Sequence, residues 1–143
     1  MNDERPTILD SAAYCSLSFS ARALLFELVS QLRTNAHTGD IRNNGDLTTA
    51  PGRVQPRGLG DRATVRKAAK ELEWAGLIQQ THIGGMHHDP NLYALTWRPL
   101  NGSPKLDFGL AGFQMYAYRN AGITKPLKKQ KQQVKLSSPH PAN

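Results

Sequence analysis

The apolar residues from Ala21 onward fall at Leu24, Leu25, Leu28, Val29 and Leu32, the three-and-four spacing that lines one side of an α-helix. Arg22, Glu27, Ser30, Gln31 and Arg33 lie mostly off that stripe. The helix is predicted to start at a Ser18 or Ser20 cap and to end near Arg33. Neither serine has Glu or Gln at the third following position, so no local capping box forms. A second helical period runs through Val65, Ala68, Ala69, Leu72 and Ala75, with Asp61 as its natural N-cap and Gly76 as its stop. The pattern then changes. Leu77 to Ile83 and Leu92 to Trp97 read as strands, the second with Tyr93, Leu95 and Trp97 on one face. They make a hairpin with an eight-residue tip at 84–91, closed by Pro99.

The intervening segments are rich in breakers. Residues 34–40 read as a loop, Asn43-Asn44-Gly45 as a tight turn, and Asp46 to Thr49 as a short extended piece. Pro51 suits the first position of a short helix reaching about Arg57, and Pro56 keeps it short because it removes a donor and disfavours helix before it. Gly58-Leu59-Gly60 then turns the chain. Residues 1–16 are weakly patterned and expected to form an irregular arm. Residues 101–124 scatter Phe108, Phe113, Tyr116 and Tyr118 among glycines, with a short helix expected around Ala111–Arg119. Residues 125–143 are mostly Lys, Gln, Ser and Pro with few large apolar groups, the composition of a disordered tail.

Length adds one constraint: 143 residues at 38% hydrophobic support one domain plus some tail. Charge adds more. Eighteen Lys and Arg against 11 Asp and Glu give +7, which favours a polyanionic partner. The excess sits in two zones: the part after Asp107, and the 51–70 segment, where Arg53, Arg57, Arg62, Arg66, Lys67 and Lys70 face Asp61 alone. The single cysteine, Cys15, excludes an intrachain disulfide framework and a Cys-rich zinc finger. No apolar run is long enough to cross a membrane and the first residues are polar, so the expectation is a cytoplasmic protein without a membrane segment.

The order helix, loop, short strand, short helix, Gly turn, basic helix, Gly stop, β-hairpin resembles a winged helix-turn-helix DNA-binding domain. The segment Leu59-Gly60-Asp61-Arg62-Ala63-Thr64-Val65-Arg66-Lys67 through Trp74-Ala75-Gly76-Leu77-Ile78 resembles its recognition helix and the start of its wing. Leu17 to Leu25 resembles the first helix, and Asn91 to Thr96 the second wing strand. The match spans roughly 17–98. Asn43-Asn44-Gly45-Asp46-Leu47 and Tyr93-Ala94-Leu95-Thr96-Trp97 further resemble helix-turn-helix proteins of bacterial phages, plasmids and integrated elements, replication-type and regulatory. Two departures stand out: Pro56 inside the expected second helix, and a long connection over Asn35–Ile41.

The resemblance implies an α+β winged domain over 17–100 that binds double-stranded DNA, a transcriptional regulator or, alternatively, a replication-origin binder or a winged-helix protein-interaction module. Arg62, Thr64, Arg66 and Lys67 would face the groove, with Lys70 further along the same helix. Arg53 and Arg57 would contact backbone from the second helix, and His87 and His88 would form a polar wing tip near phosphates. Arg suits bidentate contact with guanine and Lys a phosphate. Contact through the histidines should strengthen as the pH falls toward about 6.

Other chemistry is weaker. His82, His87, His88 and Asp89 are close in sequence, but adjacent loop histidines seldom converge on one metal, so neither metal nor cofactor is expected. Trp74 reads as core or dimer contact, Tyr93 and Trp97 as core. No nucleophile–base spacing, paired carboxylates or phosphate-cradling Gly loop is present, so an enzyme is not expected. A homodimer contact could come from Phe108, Phe113, Tyr116 and Tyr118. The Lys-rich tail from Lys125 could add nonspecific DNA affinity through counterion release or dock on an acidic protein partner.

Overall fold

The computed structural model describes residues 8–86 and 88–119. The tail expected at 125–143, the end of the 101–124 extension and His87 lie outside the described residues. The helices are α1 (Ala12–Cys15), α2 (Phe19–Ser30), α3 (Pro51–Val54) and α4 (Arg62–Trp74); the strands are β1 (Leu47–Thr48), β2 (Ile78–His82) and β3 (Leu92–Leu95). The fold is α+β. The three strands form one antiparallel sheet in the order β1-β3-β2, with Leu47 opposite Tyr93 and Ile78 opposite Leu95.

The core lies where α2 and α4 pack on each other and on the sheet. Leu24, Leu28, Leu47, Val54, Leu72, Leu77 and Leu95 are fully buried there. Ser18 caps α2 by accepting from Ala21 N–H, as one of the two expected caps. The missing local capping box is supplied from elsewhere: Glu71 of α4 accepts from Ser18 N–H at 2.6 Å and Ser18 Oγ at 2.8 Å. One carboxylate thus satisfies an orphan helix donor and fixes the packing of the two helices.

The α2 stripe is rotated from its expected position. Val29 turns outward and Glu27 inward. The reason is long-range: Glu27 pairs with the Arg57 guanidinium, so its charge is buried with a partner. Residues 8–16, expected irregular, form a 3₁₀ turn and α1. Ser11 caps α1 by accepting from Tyr14 N–H, and Ala13 enters the core.

Gly76 ends α4 as expected. Its φ of +79° is one that a side chain strains to adopt, and the Ala117–Tyr118 backbone lies where a Cβ would sit. Gly76 N–H bonds Glu73 carbonyl and Leu77 N–H bonds Leu72 carbonyl, a Schellman closure.

The segment after Pro99 departs most from expectation. It forms two 3₁₀ turns, Leu110–Gly112 and Ala117–Arg119, rather than a helix over 111–119. Its backbone groups are taken up by the sheet: Asp107 N–H bonds Thr81 carbonyl, Tyr116 N–H bonds Thr96 carbonyl, and the Gln79 amide bonds Gly112 carbonyl and Gln114 N–H. Tyr118 is consequently core rather than a dimer contact. The 101–119 stretch is part of the same domain. Among the described residues no helix is long and apolar enough to cross a membrane.

Candidate nucleic-acid interface

Each end of α4 is set by sequence chemistry. The Asp61 carboxylate accepts from Thr64 N–H at 2.9 Å, and that bond holds its carboxyl below the usual range. The cap fixes where the helix begins, and hence where Arg62 and Arg66 project, one turn apart on the same flank. Val65, Ala68, Ala69 and Leu72 face the core, leaving Arg62, Ala63, Arg66, Lys67 and Lys70 exposed.

A groove of about 800 Å³ runs between α4, the β1–α3 junction and the hairpin tip. Arg62 and Arg66 line one wall, Thr49 and Gln55 another, and His88 and Asn91 the hairpin side. Pro51 starts α3 beside it, and Pro56 limits that helix to one turn followed by a 3₁₀ turn over Gln55–Arg57. Tyr93 at the groove's base is buried, which chiefly pushes its phenol up to about 12; the Glu73 charge adds to the rise, and Asn91 and Thr49 oppose it. Glu73 is likewise raised by burial, partly offset by Lys70.

The nine candidate residues separate as follows. Arg62, Arg66 and His88 all line the groove. Lys67 and Lys70 are exposed on the adjoining face of α4. Thr64 is half-buried in the capping turn, its side chain packed toward Gly60 and away from the groove lining. Arg53 lines a different cleft, and Arg57 is engaged with Glu27. His87 lies outside the described residues. Thr49, Gln55 and Asn91 were not singled out from the sequence. Nothing in a loop's local composition shows that it will fold against a helix wall.

The hairpin tip is organised by its polar side chains. Gly85 N–H bonds Asp89 carbonyl at 2.8 Å, Gly84 N–H bonds Asn91 Oδ1 at 2.7 Å, and His88 sits at φ +62°. His82, where β2 enters the tip, reaches Asp107 from Nδ1 and Asp89 from Nε2, each at 2.9 Å. Two carboxylate acceptors call for two N–H donors, so this arrangement selects the imidazolium. The Asp107 and Asp89 bonds raise the His82 pKa above its ordinary value. Asp107 is lowered, first by Ile83 N–H and then by His82. Among the described residues no group of three His, Cys, Asp or Glu is arranged to hold a metal.

A pH dependence follows. The histidine's contribution is fully present below its unfolded value of about 6.5 and is lost as the pH rises through its raised folded value. Asp107's contribution is present above about pH 4 and is lost as the pH falls through its lowered value. Amide protection factors at Ile83 and Gly85 should therefore be highest between these limits and fall on the alkaline side, and His82→Gln should remove that alkaline fall. A profile that is flat to about pH 9 in the wild type contradicts the imidazolium clamp.

Comparison of the chain with protein-family models, with curated proteins and with solved structures finds no match.

Proposed function

We propose that the chain is a double-stranded DNA-binding protein of winged helix-turn-helix type. In this reading α4 enters the major groove, α3 braces it, and the β2–β3 hairpin lies along the neighbouring backbone. The observation that carries the reading is the shared groove. The exposed guanidinium-bearing flank of α4, the start of α3 and the hairpin tip open onto one surface, while the opposite side of α4 is buried. Asp89, the carboxylate lining it, is matched by His82. The element order and the β1-β3-β2 sheet support the same reading. With the resemblance carried by 43–47 and 93–97, the role proposed is a cytoplasmic transcriptional regulator of a bacterial mobile element, with replication-origin binding as the alternative.

Selection of bound fragments from random and native DNA tests this. Enrichment of a defined site is expected. A palindromic site would report two half-sites about one DNA turn apart and hence a homodimer. No enriched or protected site at moderate salt, with folded protein, overturns the reading.

One feature favours a second reading, a protein-interaction module: Phe19 and Phe26 on the outward face of α2 are 86% and 67% exposed. A partner captured through nuclease treatment and high salt would support that reading.

A further inference from the structure

The end of α2, the 33–43 loop and α3 enclose a second cleft, of about 440 Å³. The β1–α3 segment borders both clefts: Thr48 and Arg53 line this one, while Thr49 and Gln55 line the α4 groove. Arg33, Arg42 and Arg53 all open onto it. We propose that this cleft binds a phosphate group, and that in the working protein the group is a backbone phosphate of the same duplex that α4 reads, so this step rests on the DNA-binding function proposed above.

Four observations carry the inference. First, the amide side chains in the walls are each engaged by the fold at both nitrogen and oxygen. Gln31 exchanges two bonds of 2.8 Å with Thr48, Asn43 donates to Gln31 carbonyl, and Asn43 Oδ1 accepts from Arg33 N–H. The three guanidiniums are the charged donors lining the cleft. Second, no described carboxylate pairs with any of the three guanidiniums. Asp46, the one carboxylate lining the cleft, is engaged by Lys105 at 3.2 Å.

Third, Arg33 and Arg42 are placed opposite one another by backbone pairing. Arg42 N–H bonds Arg33 carbonyl at 2.9 Å, Thr34 bridges Ile41, and Asn35 N–H bonds Asp40 carbonyl, all in one antiparallel register. Like charges directly across such a pair destabilise it. Arg33 and Arg42 are exposed, so their repulsion is screened in part, and an anion between them would relieve the rest. Fourth, the chemistry is specific. Guanidinium forks match the oxygens of a phosphate in two-point contacts, and several around one centre select a multiply acceptor-bearing anion over a single carboxylate. The Asn35–Ile41 connection, long for a helix-turn-helix, pairs its two flanks so that Arg33 and Arg42 both come to the cleft.

The test uses the full chain and the double variant Arg33→Gln/Arg42→Gln, with melting temperature as the folding control. Removal of the like-charge pair should leave melting unchanged or raise it. In duplex titrations across salt, affinity should fall alike on selected and random DNA, and the log–log salt slope should flatten by about one for each phosphate no longer neutralised. A second arm titrates inorganic phosphate and follows the arginine Nε–H signals by NMR. Shifts at Arg33, Arg42 and Arg53 are expected in the wild type alone. An unchanged duplex affinity and slope for the double variant, with Arg66→Ala still weakening binding, overturns the cleft's role while leaving the α4 reading standing. If the wild type binds no duplex but phosphate still moves the three arginines, the phosphate site stands and its source is free phosphate. If phosphate moves none of them, the site is refuted.

Discussion

Arg66→Ala is expected to weaken binding to the selected duplex by about 1–3 kcal/mol while leaving binding to random DNA nearly unchanged. Arg66 stands one turn into α4, exposed and in the groove, with no described carboxylate paired to it. A side chain one turn past the N-terminus of a helix in the major groove reaches base edges, and its fork matches the two acceptors of guanine. In the proposed docking Arg62, the first residue of α4, would lie nearer the flanking phosphates. Arg62→Ala should weaken selected and random duplexes alike and lower the salt slope by about one. Exchange of the two behaviours would mean that the helix enters the groove in a different register. Equal affinities for both variants and wild type would remove α4 from the interface altogether. Both variants should melt as the wild type does, because neither side chain contributes to the core.

The second large effect is on stability. Asn44→Ala is expected to cost about 2–4 kcal/mol, read as a lower denaturant midpoint with unchanged m. Asn44 is fully buried. Its Nδ2 reaches the carbonyls of Leu95, Arg98 and Pro99 at 3.0, 3.1 and 3.0 Å, and its Oδ1 accepts from Leu95 N–H at 2.7 Å. The chain turning out of β3 is thus tied to the turn that precedes β1. Asn101 doubles the link, bonding both Asn44 backbone groups and Ile41 carbonyl. Alanine leaves Leu95 N–H and the three carbonyls without this partner, and a buried unsatisfied group costs about 1–3 kcal/mol. Asn44→Asp should be worse, since it turns a carboxylate onto three carbonyls and deletes both donors. A loss below about 0.5 kcal/mol for the alanine variant would show that water replaces the amide without penalty.

The two helices were legible because their signals are local. Asp61 and Gly76 mark α4 within a residue, and the apolar period between them gives its buried face. The hairpin followed from the change of period at Leu77, although β3 stops at Leu95 rather than Trp97 because Asn44 draws the chain into a turn there. What stayed illegible depends on distant partners. Asn43-Asn44-Gly45 reads as a turn, and nothing near it announces carbonyls 51 to 55 positions away. Glu27 reads as a surface charge until Arg57 arrives 30 residues later. His82 invites a metal reading by proximity to His87 and His88, whereas its actual partners are Asp89 and Asp107. Of the site, Arg62 and Arg66 were readable from helix projection. Arg33 and Arg42 were not, because they fall at the edges of a loop whose pairing register is invisible in one sequence.

The central claim is that the α4 flank, the α3 start and the hairpin tip form one surface for duplex DNA. Backbone amide NMR during titration with a selected duplex tests it most directly. The account predicts the largest shifts at 61–67, 49–55 and 84–91, with the Phe19 to Ser30 helix unmoved. Shifts confined to that helix, or none at all on a duplex the protein retains in a gel, would contradict it.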